Sequence, residues 1–511
     1  MQSRNRLIFN SLAMYVKMIL SLFVTFFSTR LILHNLGVES FGVYNLVAGA
    51  VSLLGFVNGS MTNSVQRFIA YELGTTTIER LIKTFNLSLT LHIICAVVLF
   101  VLLELFGLIA FDNIFVIDDL YIQDAKVSYQ IVVVIALLST LSSPFDACFN
   151  AHEDIMYLAA IEFIASLLKL ATAYWLIYFS NHKLVWYCFF LLIIQTIFIL
   201  YKYLFCKKRY IECNNFIIGL NDRTILRKMV PFIGWNMVES ISWLGKNQGV
   251  PIMMNTLYGT IVNAAYGIAN QVNGQVMFFS STILNAIRPQ IYKAFGSGNI
   301  NQAMLLSYSA SKFAFYMLMT IFLPIAFYMD ELLVLWLQTV PAYTSWFCRI
   351  IFCIVLLNYL SIGLNIAIQG NGNIRAYQLA TSVLILLSLP VGYLVFTISD
   401  NVYSLLFFMI LIEFISINVK YYIASKVLHI NIFKFYTNIL VPCIFTCIVS
   451  FIIIYLTLNM LKSIFYESMS WIINILICYC ILIPAIYAIG LDKREKFVLR
   501  TTFVKFISKI I

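Results

Sequence analysis

The sequence predicts an all-α polytopic membrane protein of about fourteen transmembrane helices, in two parallel-repeat six-helix lobes plus two C-terminal helices. Three observations predict this fold: the apolar composition, apolar runs of spanning length, and an internal repeat. Of the 511 residues, 62% are hydrophobic and 11% are charged, and the mean hydropathy is +0.91. Soluble proteins are roughly 45–50% apolar and about 25% charged. The composition therefore excludes a soluble enzyme, a nucleic-acid-binding domain and a disordered scaffold.

The apolar runs define the spans. A spanning helix needs about 20 apolar residues, and helices are expected because an open sheet leaves its backbone unsatisfied in lipid. The first run is interpreted as a span and not as a cleaved signal peptide, because no small-residue cleavage site follows it. The predicted spans are 8–34, 42–66, 85–111, 128–150, 156–180, 184–205, 230–256, 262–287, 303–328, 344–368, 377–398, 402–424, 436–458 and 469–490.

The charges of the loops orient these spans. With the N-terminus inside, 24 of the 33 Lys and Arg residues fall on cytoplasmic segments and three fall on external ones. Basic loops stay on the cytoplasmic side, so both termini are predicted to be cytoplasmic. The formal charge of +11 therefore reflects topology and does not indicate nucleic-acid binding. The tail 491–511 is expected to form a basic amphipathic helix on the inner leaflet.

An internal repeat relates the two halves of the chain. Residues 37–74 align without gaps to residues 259–296 at an offset of 222, with six identities in 38 positions. Both copies contain an external turn, an inward-running helix and a cytoplasmic glycine, so the offset of six spans gives both halves the same orientation. The predicted organisation is a lobe at 1–205, a cytoplasmic linker at 206–229, a lobe at 230–424, two further helices at 425–490, and the tail at 491–511.

Polar residues follow single faces of the repeat-related spans one, two, seven and eight. For an isolated amide, hydrogen bonding between helices is the more usual explanation. Four stripes on related helices instead indicate a polar cavity between two lobes, an architecture typical of transporters. The stripes are Asn10, Lys17, Ser21 and Ser28; Asn45, Ser52, Gly59 and Asn63; Asn236, Glu239, Trp243, Lys246 and Asn247; and Asn263, Asn270, Gly274, Ser281 and Asn285.

Charged residues inside the spans predict the sign of the substrate. A charge at the membrane centre costs roughly 2.5–3.5 kcal/mol, so most of these groups must face water, a partner or a ligand, or compensate one another structurally. Arg30 and Arg349 are expected to extend to the outer interface and Lys312 to the inner one. An excess of cations suits an anionic substrate. The cations are Lys17, Arg30, Lys169, Lys246, Lys312 and Arg349, and the carboxylates are Glu104, Glu162, Glu239 and Glu413.

Two carboxylates are candidate ion-coupling sites. Glu239 and Glu413 lie within spans, where a low dielectric favours the protonated form. Glu162 and Lys169, like Glu239 and Lys246, are seven residues apart, a spacing that places them on one face but too distant for a direct ion pair. No phosphate-binding loop, zinc motif or nucleophile with its base occurs. The sequence therefore predicts no catalytic residues, metal or cofactor, and energy from an ion gradient, the membrane potential or substrate flux.

Four segments carry a resemblance to a known family. The stretches RLILHNLGVESFGVYNLV (30–47) with SVQRFIAYELG (64–74), SSPFDACFNAHEDIMYLAAIEFIASLLKL (142–170), GIANQVNGQVMFFSSTILNAIRPQIYKAFGSG (267–298) and AIQGNGNIRAYQ (367–378) resemble the Wzx-type polysaccharide flippases. These flippases belong to the multidrug/oligosaccharidyl-lipid/polysaccharide (MOP) exporter superfamily. The resemblance covers most of the chain in the right order. Its motifs are structural and do not identify the substrate.

The resemblance implies a function. A family member would move undecaprenyl-diphosphate-linked oligosaccharide from the cytoplasmic to the outer leaflet of the bacterial inner membrane by alternating access, for O-antigen (lipopolysaccharide) or capsule synthesis. Its partners would be that glycan, membrane lipids and the polysaccharide polymerase and chain-length proteins, with no nucleic acid. Polar residues of spans two and eight would meet the sugar. The implied substrate-binding residues are Lys17, Lys246, Lys169 and Arg30 for the diphosphate, and Asn45, Asn63, Asn270 and Asn285 for the sugar.

Three other functions remain open at this stage. A drug/cation antiporter of the same superfamily would carry acidic residues on the cleft face of the first lobe, where span one has Lys17 and no carboxylate. A polysaccharide polymerase or membrane glycosyltransferase would need a large external loop, and the longest external stretch, 111–127, is too short to be a domain. A lipid II flippase differs only in cargo, and its fourteen spans match the number predicted here.

Overall fold

The computed structural model describes most of the chain between residues 20 and 496. The residues left undescribed are 1–19, 21–22, 25–26, 29–30, 33, 53–54, 76, 114, 116, 180, 215, 218, 220–221, 400, 466–470, 494 and 497–511. The amphipathic helix predicted for the tail lies almost entirely outside the described residues, as do Lys17 and Arg30.

The described residues confirm the all-α fold. They contain no strand, and ten of their helices are long and apolar enough to cross a membrane. The helices are α1 (Val38–Ser52), α2 (Gly55–Thr75), α3 (Ile78–Asn113), α4 (Asp119–Ala151), α5 (Ile155–Trp175), α6 (Lys183–Arg209), α7 (Arg223–Gly296), α8 (Ile300–Phe327), α9 (Met329–Leu337), α10 (Thr344–Leu360), α11 (Ile362–Asn371), α12 (Arg375–Ile398), α13 (Ser404–Leu428), α14 (Ile432–Phe435), α15 (Val441–Phe465) and α16 (Trp471–Ala485).

Local chemistry explains where several of these helices begin. Asp118 precedes α4, and its carboxylate accepts a hydrogen bond from the backbone N–H of Leu120. Asp222 precedes α7 and accepts from the N–H groups of Thr224 and Ile225. Each carboxylate satisfies amides that would otherwise lack a partner in the first helical turn. These two caps mark where α4 and α7 begin.

Two compact units divide the chain. The first comprises Met1–Ile241 and Asn285–Ala303, and the second comprises Ser242–Leu284 and Met304–Ile511. The core of the first includes Val47, Val133 and Cys188, from α1, α4 and α6. In the second, Phe322 of α8 stacks on Phe352 of α10 with ring centroids 3.9 Å apart. The long helix α7 contributes to both units.

The repeat is visible in the backbone. Gly37, which precedes α1, has φ +83°, and its repeat-related partner Gly259, inside α7, has φ +82°. At Gly259 the ψ of −177° gives a conformation that is essentially restricted to glycine. It breaks α7 into two halves that coincide with predicted spans seven and eight. Two glycines 222 residues apart thus make the same kind of turn before the corresponding span.

Candidate functional site

The predicted residues of the first unit occupy different environments. Asn45 on α1 and Asn63 on α2 are exposed, and so is Lys169 on α5. The Asn63 Oδ1 accepts a hydrogen bond of 3.1 Å from the guanidinium of Arg288 near the end of α7. Lys169 interacts electrostatically with Glu162, seven residues earlier on the same helix. Asn63 therefore has a charged partner that no sequence spacing indicated.

The second unit contains a buried cluster of charges, formed by Lys246, Asn358, Glu413 and Lys420 and called here the second-unit charge cluster. Glu413 is 6% exposed, and one of its oxygens accepts from the Asn358 amide at 2.8 Å and from the Lys420 ammonium at 3.3 Å. Lys246 interacts electrostatically with both Glu413 and Lys420, and its Nζ lies 5.3 Å from the Trp243 ring centroid. Two ammonium groups share one carboxylate, so the cluster carries a net positive charge.

The pair Glu413–Lys420 corrects an argument from spacing. These residues are seven apart on α13, a separation of about 10 Å along the helix axis, which is the spacing that predicts no direct ion pair for Glu162 with Lys169 or for Glu239 with Lys246. The structure gives an Nζ–Oε1 distance of 3.3 Å. The long lysine side chain lies along the helix surface and reaches back two turns. This explanation depends on lysine being the C-terminal partner, since helical side chains point toward the N-terminus.

Sequence reasoning missed Lys420 and Asn358. The heptad spacing from Glu413 is a signal for Lys420, but Lys420 lies near the end of its predicted span, and the charge bias assigns it to the cytoplasmic side. No signal in the sequence indicated Asn358, which comes from α10. Only the packing of α10 against α13 brings its amide to the carboxylate.

Three further predicted residues lie along α7. Asn270 is exposed in the second unit and hydrogen-bonds with Tyr266. Asn285 and Glu239 are half-buried, and both belong to the first unit. Their assignment to substrate or ion binding remains a prediction.

A second charge cluster lies in the first unit. Asp146 of α4 pairs with Lys202 of α6 at 2.6 Å, and both side chains are mostly buried. Glu162 of α5 interacts electrostatically with Asp146, and the Lys202 ammonium also contacts the Ser142 hydroxyl at 3.3 Å. This cluster joins three helices, and none of its carboxylates was a predicted coupling residue.

Lys312 lies in an environment that differs from the expected one. Its side chain is only 1% exposed and does not extend to water. The ammonium lies 2.7 Å from Glu495 and 3.2 Å from Asp492, which follow α16. The Tyr316 hydroxyl, one turn along α8, donates to the Gly490 carbonyl at 3.1 Å. A buried cation therefore fixes the segment after the last helix to α8.

Within the first unit, the end of α7 contacts neighbouring segments through polar side chains. Glu153, between α4 and α5, accepts from the Lys293 ammonium at 2.7 Å and from the Gln290 amide at 3.3 Å. Glu153 itself has φ +63°, a left-handed conformation that is uncommon for residues other than glycine. Together with the bond between Asn63 and Arg288, these contacts hold the end of α7 that the charge bias predicts to be cytoplasmic.

Two repeat-related glycines make the closest part of this contact. A Cβ on Gly74 would overlap the carbonyl oxygen of Lys293 and lie 3.1 Å from the Cα of Gly296. A Cβ on Gly296 would overlap the carbonyl oxygen of Tyr71 and lie 3.2 Å from the Cα of Gly74. Tyr71 and Lys293 are also 222 residues apart. The contact is therefore pseudo-twofold, and the repeat brings its own equivalent residues together.

Within the part of the chain that the structure describes, no group of three or more His, Cys, Asp or Glu side chains could hold a metal ion. All eleven cysteines are free. The sulfurs of Cys148 and Cys213 lie 4.0 Å apart.

Comparison with known proteins gives matches among solved structures only. No protein-family model matches the chain, and no curated protein does. A crystal structure of MATE in the straight conformation aligns with a TM-score of 0.71 at 13% identity, over 84% of this chain and 96% of that one. An outward-facing multidrug resistance MATE family transporter of the MOP superfamily aligns with a TM-score of 0.65 at the same identity and coverages.

A third structure is a MOP superfamily transporter from Pyrococcus furiosus, in which reverse polarity of the binding pocket suggests a different function. It aligns with a TM-score of 0.69 at 13% identity, over 84% of this chain and 96% of that one. At this identity the likeness establishes the fold. The chain is a multi-pass membrane protein with the fold of MATE transporters of the MOP superfamily, and the proteins it resembles are transporters and not enzymes.

Proposed function

We propose that this transporter-like chain is a flippase for undecaprenyl-diphosphate-linked oligosaccharide. It would move repeat units from the cytoplasmic to the outer leaflet of the bacterial inner membrane, for O-antigen or capsule synthesis. The second-unit charge cluster carries the proposal, because two lysines there share one carboxylate among apolar helices. A net positive charge in a low-dielectric site attracts an anion, and a diphosphate is one.

The roles of individual residues follow from this charge. Lys246 is the proposed second-unit contact of the diphosphate, because Lys420 already makes an ion pair with Glu413. The other proposed diphosphate ligands are Lys17, Lys169 and Arg30. The proposed sugar contacts are Asn45, Asn63, Asn270 and Asn285, whose amides offer donors and acceptors to hydroxyl groups.

A drug/cation antiporter is the second candidate. The fold supports it equally, since the aligned structures include a multidrug resistance transporter. A cation would need carboxylates in excess, as in a metal- or amine-binding site. The buried Glu413 meets part of that requirement, but its two lysine neighbours oppose it. The excess of positive charge in the cluster thus favours an anionic cargo. The polarity of the binding pocket is also the property from which a different function is suggested for the Pyrococcus furiosus transporter.

Complementation of a flippase-null strain tests the proposal. Wild type is expected to restore surface glycan, and Lys17→Ala or Lys246→Ala to lose it at matched expression, because each change removes a cation for the diphosphate. Lys83→Ala is the control, since Lys83 is exposed and forms its ion pair with Glu79, four residues away on the same helix. If both Lys17→Ala and Lys246→Ala restore surface glycan, these lysines have structural roles and do not bind the substrate.

A reconstituted system separates the cargoes. Purified protein in proteoliposomes should translocate a fluorescent undecaprenyl-diphosphate-linked oligosaccharide, and this activity should exceed its transport of a cationic dye. If the protein translocates lipid II but not the lipid-linked oligosaccharide, the cargo is lipid II and the proposed cargo is wrong. Accumulation of the dye without any lipid translocation would favour the antiporter.

Glu413 is the proposed ion-coupling residue, with Glu239 as the second candidate. If a proton enters at Glu413, its carboxylate is neutralised and its ion pair with Lys420 is weakened, leaving both lysines available to the anion. We expect translocation by wild type to rise with an imposed pH gradient, and Glu413→Gln to abolish that dependence. Glu104→Gln is the control, because Glu104 bonds only to exposed Gln130 in the described contacts. A wild-type translocation rate that does not change with the pH gradient would contradict the proposal of proton coupling.

A further inference from the structure

A lipid-facing groove lies in the second unit, apart from the charge cluster. It is formed by α8, α9, α10 and α15 and has a volume of about 610 Å³. Its apolar lining includes Phe322, Phe352, Ile448, Phe451 and Tyr455. About half of the surface of Ile448, Phe451 and Tyr455 remains accessible, so the groove opens toward the outside of the helical bundle.

The groove has the length of one leaflet. On α15 its lining runs from Cys447 to Asn459, a distance of about 18 Å at the helical rise. Half of a bilayer hydrocarbon core is about 15 Å. The groove therefore fits one lipid chain in a single leaflet, which the predicted orientation identifies as the outer one.

Polar groups are concentrated at one end of the groove. Arg349, Glu331 and Trp346 line it there, at the turn between α8 and α10. Arg349 donates from Nε to the Ala326 carbonyl at 2.9 Å and from one terminal nitrogen to Asp330 at 2.8 Å. Glu331 is exposed. Tryptophan and arginine are typical of membrane interfaces, so this end lies where a lipid headgroup would be.

The lipid headgroup must determine the specificity of the groove. Lipid tails are as apolar as the groove, so burying a chain there brings no hydrophobic gain over the bilayer. The second terminal nitrogen of Arg349 contacts the Ser345 hydroxyl at 3.5 Å and carries a further N–H for a phosphate, whereas Asp330 and Glu331 offer carboxylates to an ammonium. Among the side chains that the structure describes at this end, one cation accompanies two carboxylates, which gives a net negative charge. That sign disfavours an anionic headgroup, including the diphosphate of the proposed cargo.

We propose that the groove binds an outer-leaflet phospholipid with a primary-ammonium headgroup, an ethanolamine phospholipid. Arg349 contacts its phosphate, Glu331 and Asp330 accept hydrogen bonds from its ammonium, and one acyl chain fills the groove. The site is independent of the cargo and of the charge cluster. It makes a defined lipid a component of the folded second unit.

Native mass spectrometry of the purified full-length protein tests this proposal with three probes: phosphatidylethanolamine, phosphatidylcholine and phosphatidylglycerol. We expect retention of the ethanolamine lipid at least about tenfold above the other two, the difference that one charge-assisted hydrogen bond supplies. Phosphatidylcholine is informative because its headgroup has the same charge but no N–H donor.

Two variants locate the bound lipid. Glu331→Gln should reduce the preference for ethanolamine by about tenfold without altering folding, because Glu331 is exposed. Ile448→Trp should fill the groove from its exposed edge and abolish retention, while Ile473→Trp, at an exposed position on α16, should not. Equal retention of all three headgroups would overturn the proposal. So would displacement of the phospholipid by a polyprenyl diphosphate, which would assign the groove to the cargo tail.

Discussion

Replacing Gly74 with alanine is expected to separate the predicted cytoplasmic ends of α2 and α7. The new Cβ would overlap the Lys293 carbonyl oxygen, a backbone atom that cannot rotate away, so one helix end must move. Overpacking of this kind costs about 1–3 kcal/mol, which shifts a two-state equilibrium by about 5–150-fold. Under alternating access, the state that loses population is the one with this contact closed.

Cross-linking measures the separation. In a background without the eleven native cysteines, Asn63→Cys and Arg288→Cys can be joined by a short thiol cross-linker while α2 and α7 remain in contact, because these two side chains hydrogen-bond at 3.1 Å. Gly74→Ala, and equally Gly296→Ala, should reduce the cross-linked fraction several-fold. Gly59→Ala on α2 and Gly274→Ala on α7 are matched controls, because a Cβ at either position meets nothing within 4 Å.

The contact between Gly74 and Gly296 could also be a permanent part of the core, and the same cross-linking experiment tests this alternative. If Gly74 and Gly296 are in permanent contact, alanine at either position would lower the unfolding temperature and leave cross-linking in the surviving folded protein unchanged. That outcome would show that the pseudo-twofold contact belongs to a static core and does not open during transport.

The double variant Asp492→Asn with Glu495→Gln is expected to destabilise the second unit strongly. Lys312 is 1% exposed and would keep its charge without a carboxylate to neutralise it. Breaking a buried ion pair from one side typically costs about 3–5 kcal/mol. We expect a clearly lower midpoint of thermal unfolding in detergent, and proteolytic release of the segment after α16 at lower temperature.

A third substitution distinguishes charge from packing. Adding Lys312→Met to the double variant removes the unpaired ammonium while keeping most of the side-chain volume, and should restore much of the lost stability. Glu79→Gln is the control, because its ion pair with Lys83 is exposed on both sides and such pairs contribute little. An unchanged midpoint in the double variant would show that Lys312 is stabilised by groups other than these carboxylates.

Several features of the fold were predictable from the sequence because they depend on local composition. Apolar runs of spanning length identify helices wherever lipid is the solvent, since lipid satisfies no backbone group. The repeat was detectable from glycines because a left-handed φ, as at Gly37 and Gly259, restricts the residue that can stand there. Gly74 and Gly296 lie at the same offset, and their close helix contact leaves no room for a Cβ at either position.

The charged sites were predictable only in part. The sequence placed Lys246 and Glu413 within spans, and the cost of a buried charge indicated that each needs a partner. It did not give the partners. Asn358 reaches Glu413 from another helix, and Arg288 reaches Asn63 across 225 residues of chain. Neither pairing has a periodicity that a sequence displays.

The sequence by itself determined that this chain is helical and spans a membrane, because those properties follow from hydropathy, and its repeated glycines predict two related halves. Only the tertiary structure decided which charges are neutralised and which remain in excess. Lys312 was expected at the membrane surface but is buried between Asp492 and Glu495, and Lys420 reaches Glu413 across two helical turns. Electrostatic energy depends on distance and burial, and these are set by helix packing.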